Sequence, residues 1–257
     1  RFVILSRGAP PGCMMSFQYA GIMTVISYEE LLFTREDILD FFTLNGGAVT
    51  AVEADTILEK SGGFPLGVAI TARLLATGLP YDEVLVARAF QEVFRYFETA
   101  IFLRFDLPVR RFLMELSIFD SFDGELAKMV SGDLRARERL DWLQSNTSML
   151  LSIGVERFRF WPGFREFLLW ELDRSFSEDK RRALFDRGGM YYELKGAYPQ
   201  ALECYSRAGD HNKLSELLVR NAELHPGMGH YCEMEKYYRA LPEQEILESP
   251  ALMQGMS

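Results

Sequence analysis

The segment SGGFPLGV, residues 61–68, sets two glycines and a proline ahead of an apolar helical pattern. Proline is tolerated in a first helical turn, where the N–H it lacks would be unbonded, so the spacing predicts a helix start between Phe64 and Leu66. Glycine in that approach admits close backbone contact with an anion or a flat ring; the alternative is a plain turn leading into a helix. A second group with chemical potential is His225, His230 and Cys232 in HPGMGHYC. These are metal-ligand types, but Pro226 and Gly227 interrupt any shared helical face and no fourth ligand is evident. A nucleophilic Ser or Cys would need a histidine base, and all 3 histidines fall in the last third of the chain. No Gly-x-x-x-x-Gly-Lys-Ser/Thr loop occurs, so phosphate cradling and ATP hydrolysis are not expected of these residues alone. The expectation is therefore a non-enzymatic chain with no bound metal.

Composition bounds the remaining classes. With 257 residues and 48% hydrophobic content the chain buries a real core in one to three modules. A net charge of -9 argues against a nucleic-acid grip, which needs clustered Lys and Arg on one face. Cys13, Cys204 and Cys232 fit neither a disulfide framework nor a paired metal knuckle, and point to a reducing, cytoplasmic setting. No apolar run reaches the roughly 18 residues that a bilayer requires, so no membrane partner is expected.

The elements that would position these groups are mainly helical. The apolar run from Phe2 to Leu5 predicts one residual strand of a parallel sheet, whose partners would lie upstream in a longer parent chain. Thr34 with Asp37 three residues later predicts an N-cap, with Ile38, Phe41 and Phe42 on one face and an end at Gly46 and Gly47. A second helix carries Val49, Val52, Ile57 and Leu58 and stops at Gly62 and Gly63; a third follows the Gly-Gly-Phe-Pro motif, and a fourth covers 81–104. From Asp106 three helical patterns are interrupted by MLLSIG and RFRFW, two short runs about Gly154 that read as a hairpin. Three helices with a two-stranded wing make a winged-helix module. Its ELAKMVSG helix is poor in basic residues, so DNA reading by this module is not expected.

The C-terminal part repeats helical hairpins. Gly189 and Tyr192, then Gly196, Tyr198, Ala201, Tyr205 and Ala208, follow the tetratricopeptide pattern of small and aromatic positions, with a degenerate second pair after Asn212. The tyrosines Tyr192, Tyr198, Tyr205, Tyr237 and Tyr238 have two readings, as packing between helices or as a concave effector or partner surface. The expected organisation is the end of a nucleotide-binding domain (1–28), a helical domain (29–104), a winged helix (105–176) and truncated tetratricopeptide-like hairpins (177–257).

The segments VILSR (3–7), ELLFTREDILDFF (30–42), SGGFPLGV (61–68), ELSIFDSFDGELAKMVSG (115–132), FREFLLWEL (164–172) and ALPEQEILESPAL (240–252) occur in an order that covers nearly the whole chain. That order resembles the LuxR-type, MalT-like transcription activators of the class of signal-transduction ATPases with numerous domains (STAND). The resemblance implies a middle fragment of a bacterial, ATP-dependent regulator, acting as switch and signal relay. It implies that Arg7 is the sensor arginine of the nucleotide domain, and that Gly63 and Pro65 pack against the adenine of ATP or ADP bound by the parent. Many relatives place a histidine near the phosphates just before the Phe-Arg-Glu-Phe-Leu stretch; Trp161 stands there in this sequence. The implied partners are the parent's nucleotide-binding domain and C-terminal helix-turn-helix, a small-molecule or protein effector at the repeats, and other copies of the activated parent. DNA would be met only through the helix-turn-helix. A non-nucleotide helical adaptor that binds a partner protein through its hairpins is the alternative.

Overall fold

The computed structural model describes residues 2–6, 10–27, 29–147, 149–224, 231–239 and 241–255. The chain is mainly α-helical and forms two compact units, one of residues 1–121 with 138–171, the other of residues 122–137 with 172–257. The range expected for the winged helix, 105–176, is thus divided between the two.

In the first unit the opening residues 2–6 have no regular secondary structure, and Phe2 is 99% exposed. The predicted strand over Phe2 to Leu5 is not formed: a strand needs a neighbouring strand to complete its ladder, and the sheet among the described residues consists of the two strands at 150–152 and 158–160. Helices α1 (Met15–Tyr19), α2 (Arg35–Leu44), α3 (Ala51–Ser61), α4 (Pro65–Ala76) and α5 (Glu83–Ala100) follow. The starts of α2 and α3 are fixed by reciprocal capping boxes, Thr34 with Asp37 and Thr50 with Glu53. Each box satisfies two backbone donors that a helix leaves unbonded, and the α2 start agrees with the sequence expectation. Gly62 ends α3 in the left-handed conformation at φ 59°. Ile38, Phe42, Ala54, Ile57 and Val68 form the core of this bundle. Val52, expected on the apolar face, is exposed, because Ala54 and Ile57 define the buried side and Val52 lies almost opposite Ala54 around the helix.

The winged helix supplies α6 (Leu107–Ser117), α7 (Gly124–Ser131), α8 (Ala136–Asn146), strands β1 (Leu150–Ser152) and β2 (Phe158–Phe160), and α9 (Pro162–Ser175). The strands pair antiparallel with Leu150 opposite Phe160, as the alternation about Gly154 predicts. The second unit holds α7 together with α10 (Glu178–Leu194), α11 (Tyr198–Ala208), α12 (His211–Leu224), α13 (Tyr231–Tyr238), α14 (Glu243–Glu248) and α15 (Pro250–Gly255). Here α10 and α11 make the expected hairpin. Its two helices approach closely because Gly189 faces the Tyr205 ring: a Cβ on Gly189 would lie 2.5 Å from that ring. No described helix is long and apolar enough to cross a membrane.

Two predictions follow from the hairpin unit. Gly189→Ala gains up to about 1 kcal/mol of helix propensity but incurs about 1–3 kcal/mol of overpacking against Tyr205, so denaturant titration is expected to show a net loss of stability. The second concerns Glu203, which accepts hydrogen bonds from Lys236 Nζ (2.7 Å), Arg207 Nε (2.8 Å) and Tyr237 Oη (2.9 Å). Lys236 foremost, these donors hold the carboxyl at about 2, below its usual 4.5, although burial opposes them. A depressed carboxylate stabilises the fold above its unfolded pKa and loses that contribution as pH falls through the folded value. The stability difference between the native chain and Glu203→Gln is expected to be full above pH 4.5 and to vanish toward pH 2, read from urea midpoints.

Candidate functional site

The Gly-Gly-Phe-Pro motif is built as a tight junction between α3 and α4. Gly63 has φ 75°, and a Cβ there would sit 2.6 Å from the Phe33 carbonyl oxygen. Its own carbonyl accepts the Phe33 N–H at 2.8 Å. Glycine is therefore required at this position by the backbone of Phe33. Pro65 occupies the first turn of α4, where its missing N–H costs nothing, and is half-buried. Phe64, between them, precedes the first helical residue and turns its ring onto Trp161, with centroids 4.4 Å apart.

Trp161 is 2% exposed and lies at the end of β2, where its N–H donates to the Met149 carbonyl at 2.8 Å. Its indole folds back over Gly163, where a Cβ would come within 2.4 Å of the ring. Phe97 of α5 closes the triangle, 5.6 Å from Trp161 and 6.0 Å from Phe64. Phe164 and Phe167 of α9 extend it, 5.6 and 5.9 Å from Phe97. Each such pair contributes roughly 0.5–1.5 kcal/mol beyond the area it buries, so the cluster is a strong tie between the motif and α9. Beside it, Thr56, Lys60, Phe90 and Phe94 help to line an apolar crevice of about 40 Å³. That space suits a water-sized object and its apolar walls disfavour water.

A second fixed point is the C-terminal end of α6. Arg165 donates from Nε to the Ser117 carbonyl at 2.8 Å and pairs through Nη2 with Asp120 at 2.9 Å. The Arg in Phe-Arg-Glu-Phe-Leu thereby satisfies a helix-end carbonyl that has no partner within the helix.

In the second unit a polar seam joins α7 to α10. Asp123 Oδ1 accepts the Leu126 N–H at 2.8 Å and so caps α7, while Oδ2 accepts the Tyr191 hydroxyl at 2.5 Å. Lys195 pairs with Glu125, and Arg187 Nη1 donates to the Val130 carbonyl at 2.7 Å. Burial foremost, and then the Asp123 carboxylate, push the Tyr191 hydroxyl well above its ordinary pKa, so it remains a donor at physiological pH.

The residues expected to act together are only partly gathered. Gly63, Pro65 and Trp161 belong to one neighbourhood through Phe64, a residue that sequence reasoning did not single out. Its signal was available: an aromatic at the helix entrance in a chain whose WPGFREF stretch repeats aromatics three residues apart. Arg7, His225 and His230 lie outside the described residues. Tyr205, Tyr237 and Tyr238 are buried in the second unit's core, with Tyr192 and Tyr198 partly buried against it. Tyr205, Tyr237 and Tyr238 thus pack between helices, the first of the two readings, while Tyr192 and Tyr198 keep part of their surface in solvent. Aromatic rings fill the space left by the small residues of the hairpin, and filling it removes them from solvent. Sequence reasoning also missed the Asp123–Tyr191 pair, whose partners are 68 residues apart.

Three helices, a short antiparallel wing and a following helix occupy one continuous stretch, and that stretch has a known counterpart. Residues 98–180 match the family model of the MalT winged helix domain. The MalT-type winged helix thus runs from the last turn of α5 into the first turn of α10. It takes in Trp161, Arg165 and Asp123, and over this stretch the chain is similar to MalT-like transcription regulators.

A comparison of two glycines tests the motif. Gly63→Ala and Gly78→Ala both place Ala at positive φ, which costs about 1–2 kcal/mol, but a Cβ at Gly78 meets nothing within 4 Å. The expected result is that Gly63→Ala destabilises the chain by at least about 1 kcal/mol more, measured by chemical denaturation. Equal losses would remove the case for close packing on Phe33.

Proposed function

We propose that this chain is the regulatory switch and signal-relay region of an ATP-dependent, LuxR-family regulator of the STAND class. The observation that carries the reading is the seam between α7 and α10. The second helix of a MalT-type winged helix is joined by a capping carboxylate, an ion pair and a carbonyl bond to the first helix of the hairpin unit. A displacement of α10 on effector capture by the hairpins would pull on Asp123 and hence on the cap of α7. A ligand shifts such an element only by its differential affinity for two states, and a seam of a few charge-assisted bonds is of the right size.

In this reading the hairpins are a tetratricopeptide-like sensor array. Arg7, Gly63 and Pro65 face ADP or ATP held by the nucleotide domain of the complete regulator. Trp161, buried against Phe64, acts by holding the motif instead of touching phosphate. Hydrolysis, promoter binding and self-association on activation belong to the complete bacterial, cytoplasmic protein, which brings its own phosphate loop and helix-turn-helix.

Tyr191→Phe in the full-length regulator is the test. It deletes one hydroxyl and leaves Asp123 Oδ1 capping α7, so the far-UV circular dichroism spectrum of the folded variant should be unchanged while its melting temperature falls by several degrees. A hydrogen bond to a charged acceptor contributes about 1.5–3 kcal/mol, which corresponds to about a tenfold or larger shift in the effector concentration for half-maximal reporter output. Unchanged half-maximal output in a folded variant would defeat the relay.

A further inference from the structure

The first unit holds a larger opening than the crevice beside Trp161. A cleft of about 460 Å³ lies between the end of α5, the turn that follows it, and the end of α8. This volume is in the range of small-molecule sites, roughly 300–1,000 Å³. Three features of its wall are chemical. Tyr96, Phe105 and Trp142 supply aromatic surface, and Trp142 is 50% exposed although indole is costly to leave in water. The Phe105 ring meets Trp142 edge-on with centroids 6.3 Å apart, which restrains the indole.

The second feature is Arg104, exposed on the cleft wall. Among the described residues it has no carboxylate within ion-pair distance, in a chain that carries 37 acidic residues. Its backbone is held firmly: Arg110 donates from Nε to the Phe105 carbonyl and from Nη2 to the Leu103 carbonyl, both at 2.7 Å. The guanidinium is thus carried on a braced turn, ready to pair with a carboxylate in the bidentate manner.

The third is a pair of helix ends. Helix α5 finishes at Ala100 and α8 at Asn146, and both residues line the cleft. Helix C-termini carry partial negative charge and carbonyls without helical partners, which attract ammonium groups. One cation, two negative helix ends and three rings thus converge on one opening.

We propose that this cleft binds an aromatic α-amino acid, free or at the end of a peptide, with its carboxylate on Arg104, its ammonium toward the ends of α5 and α8, and its ring on Trp142 and Tyr96. A simple aromatic anion would leave the helix ends unmatched, and an aliphatic amino acid would leave the indole wet. The inference stands on geometry apart from the proposed switch and is tested separately from it.

The experiment titrates the 257-residue chain with L-phenylalanine and follows tryptophan emission and the indole N–H resonances. Saturable binding in roughly the millimolar range is expected for a ligand of this size. Phenethylamine, which lacks the carboxylate, 3-phenylpropionate, which lacks the ammonium, and L-leucine should each bind about tenfold more weakly or worse. Arg104→Gln should bring L-phenylalanine down to the level of phenethylamine, and Trp142→Ala should bring it down to that of L-leucine. If Trp142→Ala does not fold, as judged by circular dichroism, Arg104→Gln with the ligand series decides alone. No saturation by L-phenylalanine, equal binding of L-leucine, or undiminished affinity in Arg104→Gln would overturn the proposal.

Discussion

An indole pressed against a phenylalanine at a helix entrance is the contact on which the first unit depends. Trp161 can occupy that place only because Gly163 leaves room beneath the ring and the strand pairing with Met149 fixes its backbone. Phe64 can meet it only because Gly62 and Gly63 turn the chain sharply after α3 and Pro65 sets the direction of α4. Loss of the indole would open a void beside Phe64 and Phe97, and large-to-small changes at such sites cost about 3–5 kcal/mol. The helical bundle and the wing are therefore joined by dispersion and apolar burial, with little polar content.

The second unit is held differently. Its core is also apolar, but the geometry of its helices is specified by carboxylates that serve several donors at once. Glu193 accepts from the Tyr205 hydroxyl and from Arg220, and Glu203 gathers Lys236, Arg207 and Tyr237. Such partly exposed pairs contribute modestly one by one, and their value lies in setting which helix faces which. Buried Cys204, its thiol pushed up to about 12 by burial, is an inert packing residue in this setting.

The winged helix shows why a motif and a packing unit need not coincide. Its α6, α8 and wing carry buried residues of the first unit, while α7 is joined to α10 in the second. Asp123 is central to this arrangement, because one carboxylate has two oxygens: one closes a helix end and the other holds a tyrosine of a distant helix.

Much of the local structure was legible from the residues alone, because its causes are local. The cap at Thr34, the stop at Gly62, the proline start of α4, and the hairpin about Gly154 are each decided within a few positions by backbone sterics and nearby hydrogen bonds. The hairpin of α10 and α11 was legible too, since alternating small and aromatic positions mark it, but which small residue meets which ring was not. Tertiary structure decided the rest. Whether the run from Phe2 to Leu5 forms a strand depends on a hydrogen-bonding neighbour, and its own side chains cannot supply one. Whether five tyrosines face a partner or a core depends on which helices close over them. The ring that meets the Gly-Gly-Phe-Pro motif is 97 positions away from Phe64, and Asp123 finds Tyr191 across 68. No periodicity encodes such pairs, because they arise only when packing brings remote helix faces together.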